Sequence, residues 1–153
     1  LEGKDIDIML EVKDKNLSTI KCINATQPQR GIQALEKEWA RYKYVVLEHS
    51  HTLYNDIRQL LKDKKAYPVK EFYASIQRAL EQDVEKGQAV NAAQHVWGYF
   101  KDIADDKEVR AFQRNLQKFQ DGNLKHATFK RQMQRLAEKY EIPYLKQSLY
   151  FEL

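Results

Sequence analysis

Ile32, Leu35, Trp39, Tyr42, Val46 and His49 follow one another at alternating steps of three and four. Such spacing puts all six on one face of an α-helix of about five turns, because residues three and four apart lie on the same side of the spiral. A chain holding this stripe must place a long amphipathic helix against something apolar. The same periodicity continues downstream. Ser50 and Thr52 are candidate caps for a helix carrying Leu53, Ile57, Leu60 and Leu61. Pro68 suits the first turn of a third helix with Val69, Phe72, Tyr73, Ile76, Leu80 and Val84 inward, and Gly87 is placed to stop it.

A fourth helix is expected over 89–104, with Val90, Ala93, Val96, Trp97, Phe100 and Ile103 inside and Gly98 interrupting it. Asp105 or Asp106 can cap a fifth helix bearing Val109, Phe112, Leu116 and Phe119, which Asp121-Gly122-Asn123 ends. The sixth, over 125–140, buries Phe129, Met133, Leu136 and Tyr140. After Pro143, the segment Tyr144 to Phe151 is too apolar to hang free and should pack back on the helices. Short connections between six amphipathic segments make an all-α, single compact bundle of about six helices the expected fold of residues 29–153.

Residues 1–28 differ in character. Ile6, Ile8 and Leu10 alternate with polar neighbours, and Leu17, Ile20, Cys22 and Ile23 follow a Lys13-Asp14-Lys15-Asn16 turn signal, the pattern of a short β-hairpin or an extended appendage. Equally, residues before Met9 read as a leader left in part by an expression vector, since Leu1 is not a natural initiator.

The single cysteine, Cys22, excludes an internal disulfide and has no companions for a structural zinc site. No run approaches the roughly 20 apolar residues of a membrane span, and no secretory leader is evident, so a cytoplasmic protein is expected. The net charge of +4 is unevenly spread. Between Arg110 and Lys139, eight basic residues (Arg110, Arg114, Lys118, Lys125, Lys130, Arg131, Arg135, Lys139) face two acidic ones, Asp121 and Glu138. A solvated helical face and a polyanion-binding surface are equally compatible with that balance.

Two runs set polar, chemically capable groups at the edge of buried stripes: Arg41-Tyr42-Lys43-Tyr44 with His49, and Gln94-His95 leading into Gly98-Tyr99-Phe100-Lys101. Together with the closing Ile142-Pro143-Tyr144-Leu145, Gln147 and Tyr150, they give the chain a resemblance to the YbgA-like family of bacterial domains over about 32–151. Some members of that family carry the domain behind an iron–sulfur desulfidase acting on thiouracil or on thiolated uridine in transfer RNA, which implies an RNA-handling role beside a catalytic partner. This chain lacks the cluster cysteines, so the resemblance implies no desulfuration here. It also departs from the family at Leu124–Met133, where Lys125, His126, Lys130 and Arg131 replace a more apolar segment.

Three functions are weighed. The first is a nucleic-acid-binding accessory module for structured or thiolated RNA, such as transfer RNA, serving a desulfidase-type partner. In it Arg41, Lys43 and Lys101 hold phosphates, Tyr44 and Tyr99 stack on bases, and His49 and His95 read base or ribose edges. The second is a small cofactor-independent enzyme with His49 and His95 as an acid/base pair. The third is a protein-interaction or homodimeric module using Trp39, Trp97 and the aromatic tail. With no nucleophile motif, cofactor loop or metal-ligand spacing, the sequence favours the first reading and weighs against an enzyme. Arg41, Lys43, His49, His95, Tyr99 and Lys101 are expected to share one concave patch between the first and fourth helices.

Overall fold

The computed structural model describes residues 20–153, and within them every regular element is helical. The helices are α1 (residues 20–26), α2 (Ile32–His49), α3 (His51–Leu60), α4 (Val69–Leu80), α5 (Lys86–Trp97), α6 (Asp106–Gln120), α7 (His126–Lys139) and α8 (Pro143–Gln147). Two 3₁₀ turns, Pro28–Arg30 and Leu149–Phe151, complete the set. The bundle is therefore all-α, with more helices than the six expected. The hairpin is corrected where it can be seen: Ile20, Cys22 and Ile23 lie in α1, whereas Ile6, Ile8, Leu10 and Leu17 fall outside the described residues.

α2 is the central element, about 27 Å long at 1.5 Å per residue. It packs most extensively on α5, then on α4, the C-terminal 3₁₀ turn and α3, with α8 adding to the cover. Its first turns bury the expected stripe of Ile32, Leu35, Trp39 and Tyr42. Its second half buries five successive residues, Tyr44, Val45, Val46, Leu47 and Glu48, which no single helical face can hold. The tail explains this. Leu145, Leu149 and Tyr150 close over the far side of α2 and bury it there.

Local signals set most boundaries. The Ser50 hydroxyl accepts from the Leu53 amide at 3.2 Å and opens α3. Asp105 and Glu108 form a reciprocal capping box at the head of α6. Gly122, at φ 78°, ends α6 in the left-handed region. Gly87 was expected to stop the third helix. Instead α4 ends at Leu80, and Gly87 sits in the first turn of α5. α5 in turn ends at Trp97, and residues 98–103 form a turn rather than continuing to Ala104.

An aromatic ladder ties α5, α6 and α7 together. Trp97 stacks on Phe112 at 4.2 Å, and Phe129 lies 5.9 Å from Phe112 and 5.2 Å from Phe119. Phe119 then stacks on His126 at 5.3 Å, fixing the ring at the head of α7.

Candidate functional site

The end of α2 carries a carboxylate into the core. Glu48 is 1% exposed, and its Oε1 accepts a 2.9 Å hydrogen bond from Lys130 Nζ, also buried. Its Oε2 lies 3.3 Å from His126 Nε2. This second contact is an ion-pair approach without hydrogen-bond alignment, so both atoms remain unsatisfied. The Tyr150 hydroxyl beside them is likewise buried and unpartnered among the described residues. Burial, reinforced by the Glu48 charge, pushes the Tyr150 phenol well above the usual range and keeps it protonated. Lys130 Nζ stands 4.4 Å from the Tyr150 ring centroid.

His126 and Lys130 reach Glu48 together because residues four apart share one face of α7. Glu48, His126 and Lys130 form part of the wall of an open cleft of about 370 Å³, completed by His49, Val84, Ala127, Arg131, Gln134 and the last three residues. The His49 Nδ1 lies 2.6 Å from the Gln82 carbonyl. A carbonyl only accepts, so Nδ1 carries the proton and Nε2 is left as the basic nitrogen.

The expected single patch divides into separate places. Lys43, Tyr44, His95 and Tyr99 do come together, through the packing of α2 on α5. Tyr44 is only 4% exposed, with its hydroxyl 3.0 Å from that of Tyr99 and its ring edge-on to Tyr99, Tyr144 and Tyr150. Its faces are thus taken by protein. Its phenol is pushed far above the ordinary value by burial and by the bond to Tyr99. Tyr99 stacks on Tyr144 at 5.4 Å.

His95 is exposed beside this cluster, and burial together with the nearby Lys43 charge lowers its pKa. His49 belongs to the other cleft, with Glu48 and His126. Arg41 is engaged elsewhere: its Nη1 donates to Glu38 Oε1 at 3.0 Å, while Glu38 Oε2 accepts from the Tyr73 hydroxyl at 3.1 Å. Asn24 in α1 donates to that hydroxyl at 2.9 Å, so this buried network pins α1 to α2 and α4. Lys101 is exposed in the turn after α5.

Glu48, His126, Lys130 and Tyr150 were not singled out from the sequence as one site. The available signal was a carboxylate at the end of the apolar run Val45-Val46-Leu47, combined with His and Lys at an i, i+4 spacing in the very segment that departs from the family pattern. Among the described residues no cluster of His, Cys, Asp and Glu is arranged to hold a metal ion, and no helix is long and apolar enough to cross a membrane.

Residues 43–153 match the family described as Protein of unknown function (DUF1722). The chain belongs to this family. The match agrees with the YbgA-like resemblance carried by the Lys43–Tyr44, His95–Lys101 and Ile142–Tyr150 motifs. None of the solved structures matches. A curated relative, the UV DNA damage endonuclease of Clostridium perfringens (strain 13 / Type A), is 38% identical over 60 residues, 37% of this chain and 15% of that protein. The shared segment is thus a small part of the relative's length.

This kinship corrects two expectations. The weight placed against an enzyme is overturned by similarity to a protein named as an endonuclease. The assignment to RNA binding and transfer-RNA modification is overturned by the same finding, because the relative is named for DNA.

Proposed function

We propose that this DUF1722 protein acts on DNA as an acid–base enzyme, with the cleft of Glu48, His49, His126 and Lys130 as its reacting site. The observation that carries the reading is the buried Glu48 carboxylate, which faces His126 Nε2 at 3.3 Å on the wall of an open cleft. A carboxylate so placed sets a negative charge beside an imidazole at the cleft wall, while Lys130 balances the buried charge. The kinship with a UV DNA damage endonuclease supports DNA as the substrate class.

The chemistry suited to two imidazoles in one cleft is hydrolysis of a phosphodiester. His49, held by Gln82 through Nδ1, takes a proton from water at Nε2 as the water oxygen bonds to phosphorus. His126, whose Nε2 is turned to Glu48, serves as the acid through Nδ1 and gives a proton to the leaving oxygen as its bond to phosphorus breaks. Arg131, exposed on the rim, meets the phosphate oxygens. In this assignment His49 remains an acid–base group as the sequence suggested, and its partner is His126 in place of His95.

The test is strand scission of end-labelled duplex DNA, ultraviolet-irradiated and untreated, by the purified chain. Scission should fall by roughly 10²-fold or more in His126→Gln and in His49→Gln, with circular dichroism unchanged. Absence of scission by the wild type, or full scission by both variants, would refute the assignment.

A further inference from the structure

A second constellation lies where α2, α3 and α5 meet, and the acid–base cleft does not use it. Lys43, His51, Arg58 and His95 converge there within electrostatic reach of one another. Tyrosine rings flank them. Lys43 Nζ stands 5.2 Å from the Tyr44 ring centroid and 6.0 Å from that of Tyr144, and the Arg58 guanidinium stands 5.6 Å from Tyr54. His51 stacks on Tyr54 at 6.2 Å and 16°.

Among the described residues no carboxylate is ion-paired with any of these four groups. Burial and the Arg58 charge both lower the Lys43 pKa, and burial and its cationic neighbours lower that of His95. Lys43 and Arg58 are fixed like charges brought near each other, an arrangement that destabilises a fold unless an anion joins them. The ring faces offset this in part and carry no formal charge to neutralise it. Elsewhere this protein supplies a carboxylate to its buried cation, as Glu48 does for Lys130.

Two further features point to what the anion is. The hydroxyls of Tyr54 and Tyr144 donate to no described residue, so phenolic donors accompany the cations. Burial pushes the Tyr144 phenol up to about 12, and therefore it stays a donor at neutral pH. Access is open, since His51, Arg58 and His95 are exposed and Lys43 and Tyr144 are half-buried. Fixed charges with neutral hydroxyl donors match the compact, doubly charged oxygens of a phosphate monoester.

We propose that Lys43, Arg58 and the phenols of Tyr54 and Tyr144 form a binding site for a terminal phosphate group, with His51 and His95 at its mouth. The site stands independently of the acid–base cleft. It absorbs the Lys43, Tyr44, His95 and Tyr99 motifs, with Tyr44 and Tyr99 bracing the walls through their shared hydrogen bond rather than stacking on a ligand. The phosphate comes either from the 5′ end of a DNA strand or from a small phosphorylated molecule.

Isothermal titration of the whole chain with inorganic phosphate, a 5′-phosphorylated deoxyoligonucleotide and the same strand without its phosphate tests this. Phosphate should bind saturably, Lys43→Met and Arg58→Gln should each weaken it by about tenfold or more, and Lys43→Arg should retain it. Lys107→Gln, exposed on α6 and outside both sites, should leave it unchanged, and His49→Gln should abolish scission while phosphate still binds, which separates this site from the catalytic proposal. Tighter binding of the phosphorylated strand than of phosphate supports a strand end as source; equal binding supports a small molecule. Absence of saturable binding, or binding untouched by both Lys43→Met and Arg58→Gln in folded protein, overturns the proposal.

Discussion

Glu48 on α2 and Lys130 on α7, 82 positions apart in the chain, share a buried 2.9 Å hydrogen bond that joins the central helix to α7. The bond does two things. It balances the buried Glu48 carboxylate, and it fixes the face of α7 that carries His126 toward the cleft.

Lys130→Met should therefore destabilise the protein by about 3–5 kcal/mol, because it strands a buried carboxylate with His126 alone beside it. The double variant Glu48→Gln with Lys130→Met should recover much of that loss. Urea denaturation of the three proteins checks this, and equal midpoints for wild type and Lys130→Met would show that the pair is not coupled as described.

The Glu108 carboxyl is held down to about 2 by hydrogen bonds from Lys139 and from the Tyr140 hydroxyl, with the Asp105 amide adding to them. A carboxyl whose pKa is lower folded than unfolded stabilises fully above its ordinary value of 4.5 and loses that contribution as pH falls toward 2. The melting temperature should drop across that window. Glu108→Gln should flatten the drop, and an identical pH profile in the variant would contradict the assignment.

Asp105→Ala should cost about 1 kcal/mol, because the Glu108 amide at the head of α6 loses its 2.9 Å acceptor. Combined with Glu108→Gln, the effect should be less than the sum of the two, since both belong to one capping box. Thermal unfolding of the single and double variants measures the coupling, and strict additivity would contradict a reciprocal box.

Two glycines should respond in opposite directions. Gly122→Ala forces a side chain into φ 78° and should destabilise by about 1 kcal/mol. Gly87→Ala meets nothing within 4 Å in the first turn of α5 and should stabilise by up to about 1 kcal/mol. Chemical denaturation of the pair decides it; a destabilising Gly87→Ala would mean that α5 begins later than described.

Much of the fold was legible one helix at a time. The stripe from Ile32 to Val46, the Ser50 and Asp105 caps and the Gly122 stop all act within a few residues, so their pattern survives in the order of amino acids. Gly87 and Gly98 were harder, because a glycine marks permissiveness without saying whether the backbone uses it. α2 does pack on α5, which places Lys43, His95 and Tyr99 around Tyr44, while Arg41 and His49 of the expected patch lie elsewhere.

By itself, the sequence determined a helical bundle over residues 29–153 with a long apolar α2 and chemically capable groups at its edges, because helix periodicity and capping are local. Only the tertiary structure decided that α2 is enclosed by the C-terminal tail, that Glu48 meets His126 and Lys130, and that His49 and His95 serve different places. Those outcomes depend on which face of a helix a distant segment covers. The identity of a charged residue does not reveal whether its partner will be water or another side chain.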